Sequence, residues 1–186
     1  MKLKCVLTAV NENPLYLDFI PYFIKCWNRL YPNIDVKVII VSTTLPIEFK
    51  DYHNNIIHFK PKDDNISTAF ISQYIRLLYP AILDYNGGVL ITDIDMIPMN
   101  MTYYSKNIES FTNSNFISYR HFNDNCTQIP MCYNIANPVV WSNIFNIDTI
   151  SDIHQRIEVV YNRIDYQQES NNHWYTDQLD LYKYIN

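Results

Sequence analysis

Gly87-Gly88-Val89-Leu90-Ile91-Thr92-Asp93-Ile94-Asp95 is the stretch that decides the fold. The chain has only 2 glycines, and they stand side by side here. The pair therefore marks a backbone need, a turn at positive φ that other residues resist. Val89 to Thr92 are apolar or β-branched, which suits a strand buried on both faces. That strand runs into two carboxylates one residue apart. A strand sets alternate side chains on one side, so Asp93 and Asp95 are expected to point together from its carboxyl end. In open α/β sheets that end is where ligands bind. Carboxylates held close repel unless a cation neutralises them, and the hard ions Mn²⁺ and Mg²⁺ take oxygen ligands. An ion held by two protein carboxylates keeps open positions for water and phosphate oxygens. The stretch thus reads as a metal–diphosphate site, against the plainer reading that both Asp begin a solvated loop.

The flanking sequence supplies the rest of the sheet. Leu3 to Val10 reads as a first strand. Asn13-Pro14 opens a helix, with Tyr16, Phe19, Ile20, Phe23, Trp27 and Leu30 at helical spacing as far as Tyr31-Pro32 and Pro21 as a kink. Val36 to Val41 is a continuous apolar run, and Ile56 to Phe59 a shorter one. Ser67 or Thr68 caps a helix carrying Phe70, Ile71, Tyr74, Ile75, Leu78 and Ile82, which the Asn86-Gly87-Gly88 turn ends. The order β-α-β-(β)-α-β predicts an α/β fold with a mostly parallel sheet flanked by helices. Beyond Asp95, strands are expected at Phe116 to Tyr119 and Met131 to Ile135. Helices are expected from Asn137-Pro138, from Ser151 to Asn162, and from Thr176 to Ile185. With no repeat, low-complexity tract or linker, residues 1–186 read as a single compact domain.

Composition narrows the function. Hydrophobic residues make up 48% and charged residues 18% of 186, the mix of a globular domain. Fourteen Lys and Arg against 19 Asp and Glu give −5, and no basic face is available for a nucleic acid. No apolar run reaches the roughly 18–20 residues that span a bilayer. The N-terminal apolar run is too short for a signal peptide, so a cytoplasmic location is expected. Cys5, Cys26, Cys126 and Cys132 form no CxxC pair and read as reduced thiols, two of them in the core.

Ser72-Gln73-Tyr74-Ile75-Arg76, the Gly87-Gly88 turn, the strand and Asp93-Ile94-Asp95-Met96 together resemble the DxD region of nucleotide-sugar glycosyltransferases of the GT-A fold, which is Rossmann-like. The likeness is to the group holding initiation-type mannosyltransferases of yeast and glucosylating bacterial toxins. Their pattern is Ser-Asp-x-x-Arg on a helix, a Gly-Gly turn, a strand and Asp-x-Asp. Here Gln73 replaces the family's Asp, which removes a charge from the sugar contact, and Ile91 replaces a common aromatic.

The resemblance implies a metal-dependent transfer of sugar from a UDP- or GDP-sugar to a hydroxyl of a glycan or protein acceptor. Asp93 and Asp95 would hold Mn²⁺ or Mg²⁺ against the donor diphosphate, and Gln73 and Arg76 would face the donor sugar. Thr8 and Asn11, in the loop after the first strand, would meet the nucleoside; the alternative is that Asn11 and Asn13 only shape a turn. Tyr133 and Asn134 would line the acceptor side, or belong to the core. Asp177 would be the catalytic base, or would simply favour a helix dipole. His173 would be an acceptor-side residue or third metal ligand, or an exposed histidine. Residues 1–100 would form the nucleotide-sugar half and 101–186 the acceptor half. Two other classes stay open. One is a GT-A-like module that binds without turnover. The other is an aspartate-nucleophile phosphatase, disfavoured because Ile97-Pro98 follows the DxD and the Asp63-Asp64 pair lies upstream of it.

Overall fold

Strand β1 (Leu3–Asn11) lies inside the sheet, and apart from the exposed Lys4 its largely apolar run follows from cover on both faces. The computed structural model describes residues 1–120, 127–164 and 174–185. Five more strands complete the sheet: β2 (Asp35–Val41), β3 (Ile56–Phe59), β4 (Gly88–Ile91), β5 (Ile117–Ser118) and β6 (Asn134–Ala136). Their order is β3-β2-β1-β4-β6-β5. The first four are parallel, with Val6 beside Val36 and Leu90, while β6 runs antiparallel to both β4 and β5.

Alternation along the strands sorts the core into two layers. Cys5, Leu7, Ile39, Val89, Ile91 and Ala136 face α3 (Thr68–Leu78), α5 (Pro138–Phe145), α6 (Ile150–Arg163) and α7 (Thr176–Ile185). Val6, Val10, Val36, Val38, Leu90 and Ile135 face α1 (Pro14–Leu17), α2 (Ile20–Leu30) and α4 (Tyr103–Lys106). The expected α/β class, a mostly parallel sheet between helices, is what the chain adopts. No helix among the described residues is long and apolar enough to cross a membrane.

Several boundaries differ from expectation, each for a local reason. The helix expected from Asn13 to Tyr31 is two, because Pro21 in the first turn of α2 cannot donate a backbone bond to Leu17. The next helix stops at Leu78 and not Ile82. Pro80 breaks the ladder, and Tyr79–Ile82 tightens into a 3-10 turn. The strands expected at Phe116 to Tyr119 and Met131 to Ile135 shorten to β5 and β6, since Met131 to Tyr133 form a turn with Tyr133 at φ +68°. Helix α6 begins one residue earlier than expected, behind a Thr149–Asp152 capping box. Cys5 and Cys132 are the two core thiols, Cys26 is half-buried, and all three are free. Cys126 lies outside the described residues.

The glycine pair divides its work. Gly87 has φ +156°, and a Cβ there would lie 2.7 Å from the Lys2 carbonyl oxygen. Gly88 is instead the first residue of β4, so the positive φ expected of the turn belongs to Gly87 alone. A Cβ on Gly88 would lie 2.7 Å from Ile135 Cγ1 and 2.9 Å from Met1 Sδ. Gly88→Val should therefore act by overpacking the β4–β6 contact, at a cost of about 1–3 kcal/mol. The urea midpoint should drop with the slope unchanged. An unaltered midpoint would mean the strands are not packed this closely.

Candidate functional site

The carboxyl ends of β1, β2, β3 and β4 share one edge of the sheet, because these strands are parallel. Strand β6 starts at that edge and β5 ends there, because both reverse direction in the pairing. Asp93 and Asp95 leave the sheet just past β4. They do not point together by strand alternation, as expected, because the strand ends at Ile91. They sit in a turn, in which the Met96 N–H donates to the Asp93 carbonyl at 3.2 Å. The Asp93 side chain is 35% exposed, and Asp95 is exposed.

Arg76, on α3, organises this edge. Its side chain is 9% exposed. Its Nη1 donates to Asp93 Oδ1 and, at 3.4 Å, to the Thr92 carbonyl. Its Nη2 lies 3.4 Å from Asp177 Oδ2, and its Nε donates to the Gln73 carbonyl at 3.2 Å. Burial disfavours the charge, but the two carboxylates outweigh it and hold the guanidinium above its ordinary range. Arg76 is a fixed cation between Asp93 and Asp177.

Asp177 is in the first turn of α7, only 1% exposed. Burial pushes its carboxyl up to about 7, against the opposing pull of Arg76 and of the Gln178 N–H, which donates at 2.8 Å. The base expected here is thus a covered carboxylate facing Arg76 and not open solvent. Two further ties lace α3 to this segment. Gln73 Nε2 donates to the Trp174 carbonyl at 2.7 Å, and the Tyr74 hydroxyl donates to Asp180 Oδ2 at 2.6 Å. Arg163 Nη2 closes that second tie on Asp180 at 2.8 Å.

The end of β1 also differs from expectation. Thr8 is not on a loop, because β1 continues to Asn11; its side chain is wholly buried, its hydroxyl unpartnered among the described residues. Asn11 stays at the edge, its Nδ2 donating to Thr68 Oγ1 at 3.4 Å. The Thr68 hydroxyl donates to Glu12 Oε1 at 3.2 Å. Glu12 was absent from the sequence reading, since a carboxylate between two asparagines looks like ordinary turn composition. On the other flank, the half-buried Tyr133 ring packs 4.9 Å from Tyr104. Asn134 is wholly buried, and its Nδ2 donates to the Pro130 and Met131 carbonyls at 2.8 and 3.1 Å. Its Oδ1 has no partner among the described residues. His173 lies outside the described residues.

No protein-family model matches the chain, and no curated protein matches its sequence. Solved structures do. The apo-form glycosyltransferase GlyE of Streptococcus pneumoniae TIGR4 superposes with a TM-score of 0.57 at 15% identity, over 100% of this chain and 44% of GlyE. A second GlyE structure gives 0.59 at 15% identity, over 97% of this chain and 43% of GlyE. The chain has the GT-A glycosyltransferase fold. It spans less than half the length of GlyE. The galactosyltransferase LgtC, solved with donor and acceptor sugar analogues, aligns over 94% of this chain at 10% identity, but its TM-score of 0.48 is too low to bear on the fold.

Asp93 and Asp95 are the carboxylates at this edge that could hold a hard divalent ion. Asp95 has no hydrogen-bond or ion-pair partner among the described residues, and Asp93 turns only Oδ1 to Arg76. No group of three or more His, Cys, Asp or Glu able to hold a metal occurs among the described residues. Such an ion would leave most of its positions to water and to a phosphate ligand.

Proposed function

We propose that the chain is a glycosyltransferase domain that moves a sugar from a UDP- or GDP-sugar to an acceptor hydroxyl. The observation that carries this reading is Arg76, buried and held between Asp93 and Asp177 at the carboxyl edge of a GT-A sheet. Asp93 and Asp95 would hold Mn²⁺ or Mg²⁺, which when bound neutralises charge developing on the leaving diphosphate. Asn11 and Glu12 would meet the nucleoside, Glu12 accepting from ribose hydroxyls. Arg76 and Gln73 would face the donor sugar. The Gln73 amide is already committed to the Trp174 carbonyl, so its oxygen is the group it offers. Asp177 would act through Arg76, fixing the guanidinium with its negative charge; it is a positioning residue in this reading. Tyr133 and Asn134 would shape the acceptor side by holding the 130–133 turn. A second reading, binding without turnover, is favoured by Asp177, the expected base, being buried against Arg76.

Thermal unfolding with UDP and GDP, with and without Mn²⁺, tests the binding half. A ligand at 100 times its Kd adds about 2.7 kcal/mol, or roughly 5–10 °C in Tm for a chain of this size. The rise should require the metal. Release of UDP or GDP from the matching sugar nucleotide then separates the two readings, since a module without turnover would show the shift and no release. No shift with either nucleotide would remove both.

A further inference from the structure

Among the described residues, Arg76 and Arg163 are neutralised by carboxylates, Arg156 donates to the Phe145 carbonyl and the Tyr184 hydroxyl, and Arg29, exposed in the last turn of α2, lies at the other edge of the sheet, where β2 begins. Arg120 is different. It is exposed, has no carboxylate within ion-pair reach among the described residues, and its Nη1 donates to the Cys132 sulfur at 3.0 Å. Sulfur is a weak acceptor, so the guanidinium keeps its charge and most of its five donors for something else.

Its position follows from the sheet. Strand β5 ends at Ser118, two residues before Arg120, at the same edge where β4 delivers Asp93. Strand β6 lies between them, so β5 is two strand spacings, about 10 Å, from β4. The Arg120 side chain turns back over that gap to reach Cys132. Cys132 is itself a fixed point. It is 4% exposed, Asn134 Nδ2 ties down the Pro130 and Met131 carbonyls, and the Tyr133 N–H donates to the Ile91 carbonyl at 3.0 Å. Tyr119, next to Arg120, donates its N–H to the Tyr133 carbonyl at 2.9 Å, which locks the base of the arginine. The hydrogen bond to Cys132 is the first cause that holds the guanidinium above its ordinary range, and Asp93 and Tyr103 add to it, in agreement with this proximity.

We propose that Arg120 binds the diphosphate of the donor nucleotide beside Asp93, with Cys132 as the buried post that aims it. This rests on the glycosyltransferase reading and extends it with a residue outside the DxD region. The Asp93 turn would then have two guanidinium groups near it, Arg76 paired with carboxylates and Arg120 without a carboxylate partner among the described residues. An open guanidinium takes phosphate oxygens in a two-pronged geometry.

Calorimetric titration of wild type, Arg120→Gln and Arg120→Lys with UDP, GDP, uridine, guanosine and inorganic pyrophosphate tests it, in Mn²⁺ and in EDTA. Circular dichroism checks that each variant is folded. Arg120→Gln should weaken the diphosphate-bearing ligands about 10-fold or more in Mn²⁺ and leave the nucleosides unchanged, with EDTA as the metal-free reference. Arg120→Lys should recover part of the loss, because charge is retained without the fork. Cys132→Ala should reproduce a smaller loss without removing the charge. Equal diphosphate affinity in wild type and Arg120→Gln would overturn the proposal. So would an effect confined to transfer onto an acidic acceptor, which would move Arg120 to the acceptor. If wild type binds pyrophosphate through Arg120 but no nucleotide, the Arg120 site stands and the glycosyltransferase reading falls.

Discussion

Asp95→Ala is expected to lower Mn²⁺-dependent affinity for UDP or GDP at least 100-fold while leaving the fold as stable as wild type. The size follows from losing one of two carboxylate ligands. With only Asp93 left, half engaged by Arg76, the ion would be held by little more than water. A 100-fold loss corresponds to about 2.7 kcal/mol. The unchanged stability follows from exposure, since Asp95 makes no contact with a partner among the described residues and surface changes of this kind cost under about 0.5 kcal/mol. Asp93→Ala would be a poorer test, because it also strips Arg76 of a partner and confounds binding with folding. Titration in Mn²⁺ and in EDTA, alongside urea unfolding, measures both halves. Equal metal-dependent affinity in Asp95→Ala and wild type would remove the metal from this turn.

The parts of the fold that could be read from the chain were local. Val89 to Thr92 bears the periodicity of a buried strand, and two glycines in 186 residues announce where the backbone needs freedom. Pro21 was legible as a kink but not as the start of a second helix, and the break at Pro80 was not legible in a helix expected to reach Ile82, because a missing N–H can kink or break depending on packing elsewhere. Thr8 was misplaced because the end of β1 is set by pairing with β2 as far as Asn11 and Val41, which no single strand reveals. Arg76 and Asp93 lie 17 residues apart and share a motif, so their association was legible. Asp180 was not. Its partners, Tyr74 and Arg163, come from two other helices, and nothing in the spacing of Asp177 and Asp180 tells which will be tied to a phenol and which to a guanidinium. Arg120 was missed for a similar reason, since its thiol partner is 12 residues away across a strand pair.

Asp177 makes the strongest claim about how Arg76 is held, and the test is a pH profile of stability. Its carboxyl is pushed up to about 7 in the folded chain from an ordinary value of 3.8. Between those values the folded chain binds the proton and the unfolded chain does not. Stability must therefore fall as pH rises from about 4 to about 7, then level off. Asp177→Asn carries no such proton, so the variant should lack this component of the slope. The difference between the two profiles should reach on the order of 4 kcal/mol over the whole range, and roughly 3 kcal/mol between pH 5 and pH 8, given 1.36 kcal/mol per pKa unit. Urea unfolding at pH 5 and pH 8 reads it directly. Kinetics then separate the roles. If Asp177 fixes Arg76 for the donor, Asp177→Asn should raise the KM for the sugar nucleotide as well as lower kcat, because the guanidinium loses its second anchor. A base acting on the acceptor would instead lower kcat by about 10²-fold or more and leave nucleotide affinity alone. Arg76→Met should mirror the stability result with the opposite pH sense of rescue. It leaves Asp177 buried without its cation, a loss on the order of 3–5 kcal/mol when ionised, and most of that loss should disappear at pH 5, where the carboxyl is protonated. An Arg76→Met variant equally destabilised at pH 5 and pH 8 would show that packing of the arginine stem, and not its charge, holds this edge together.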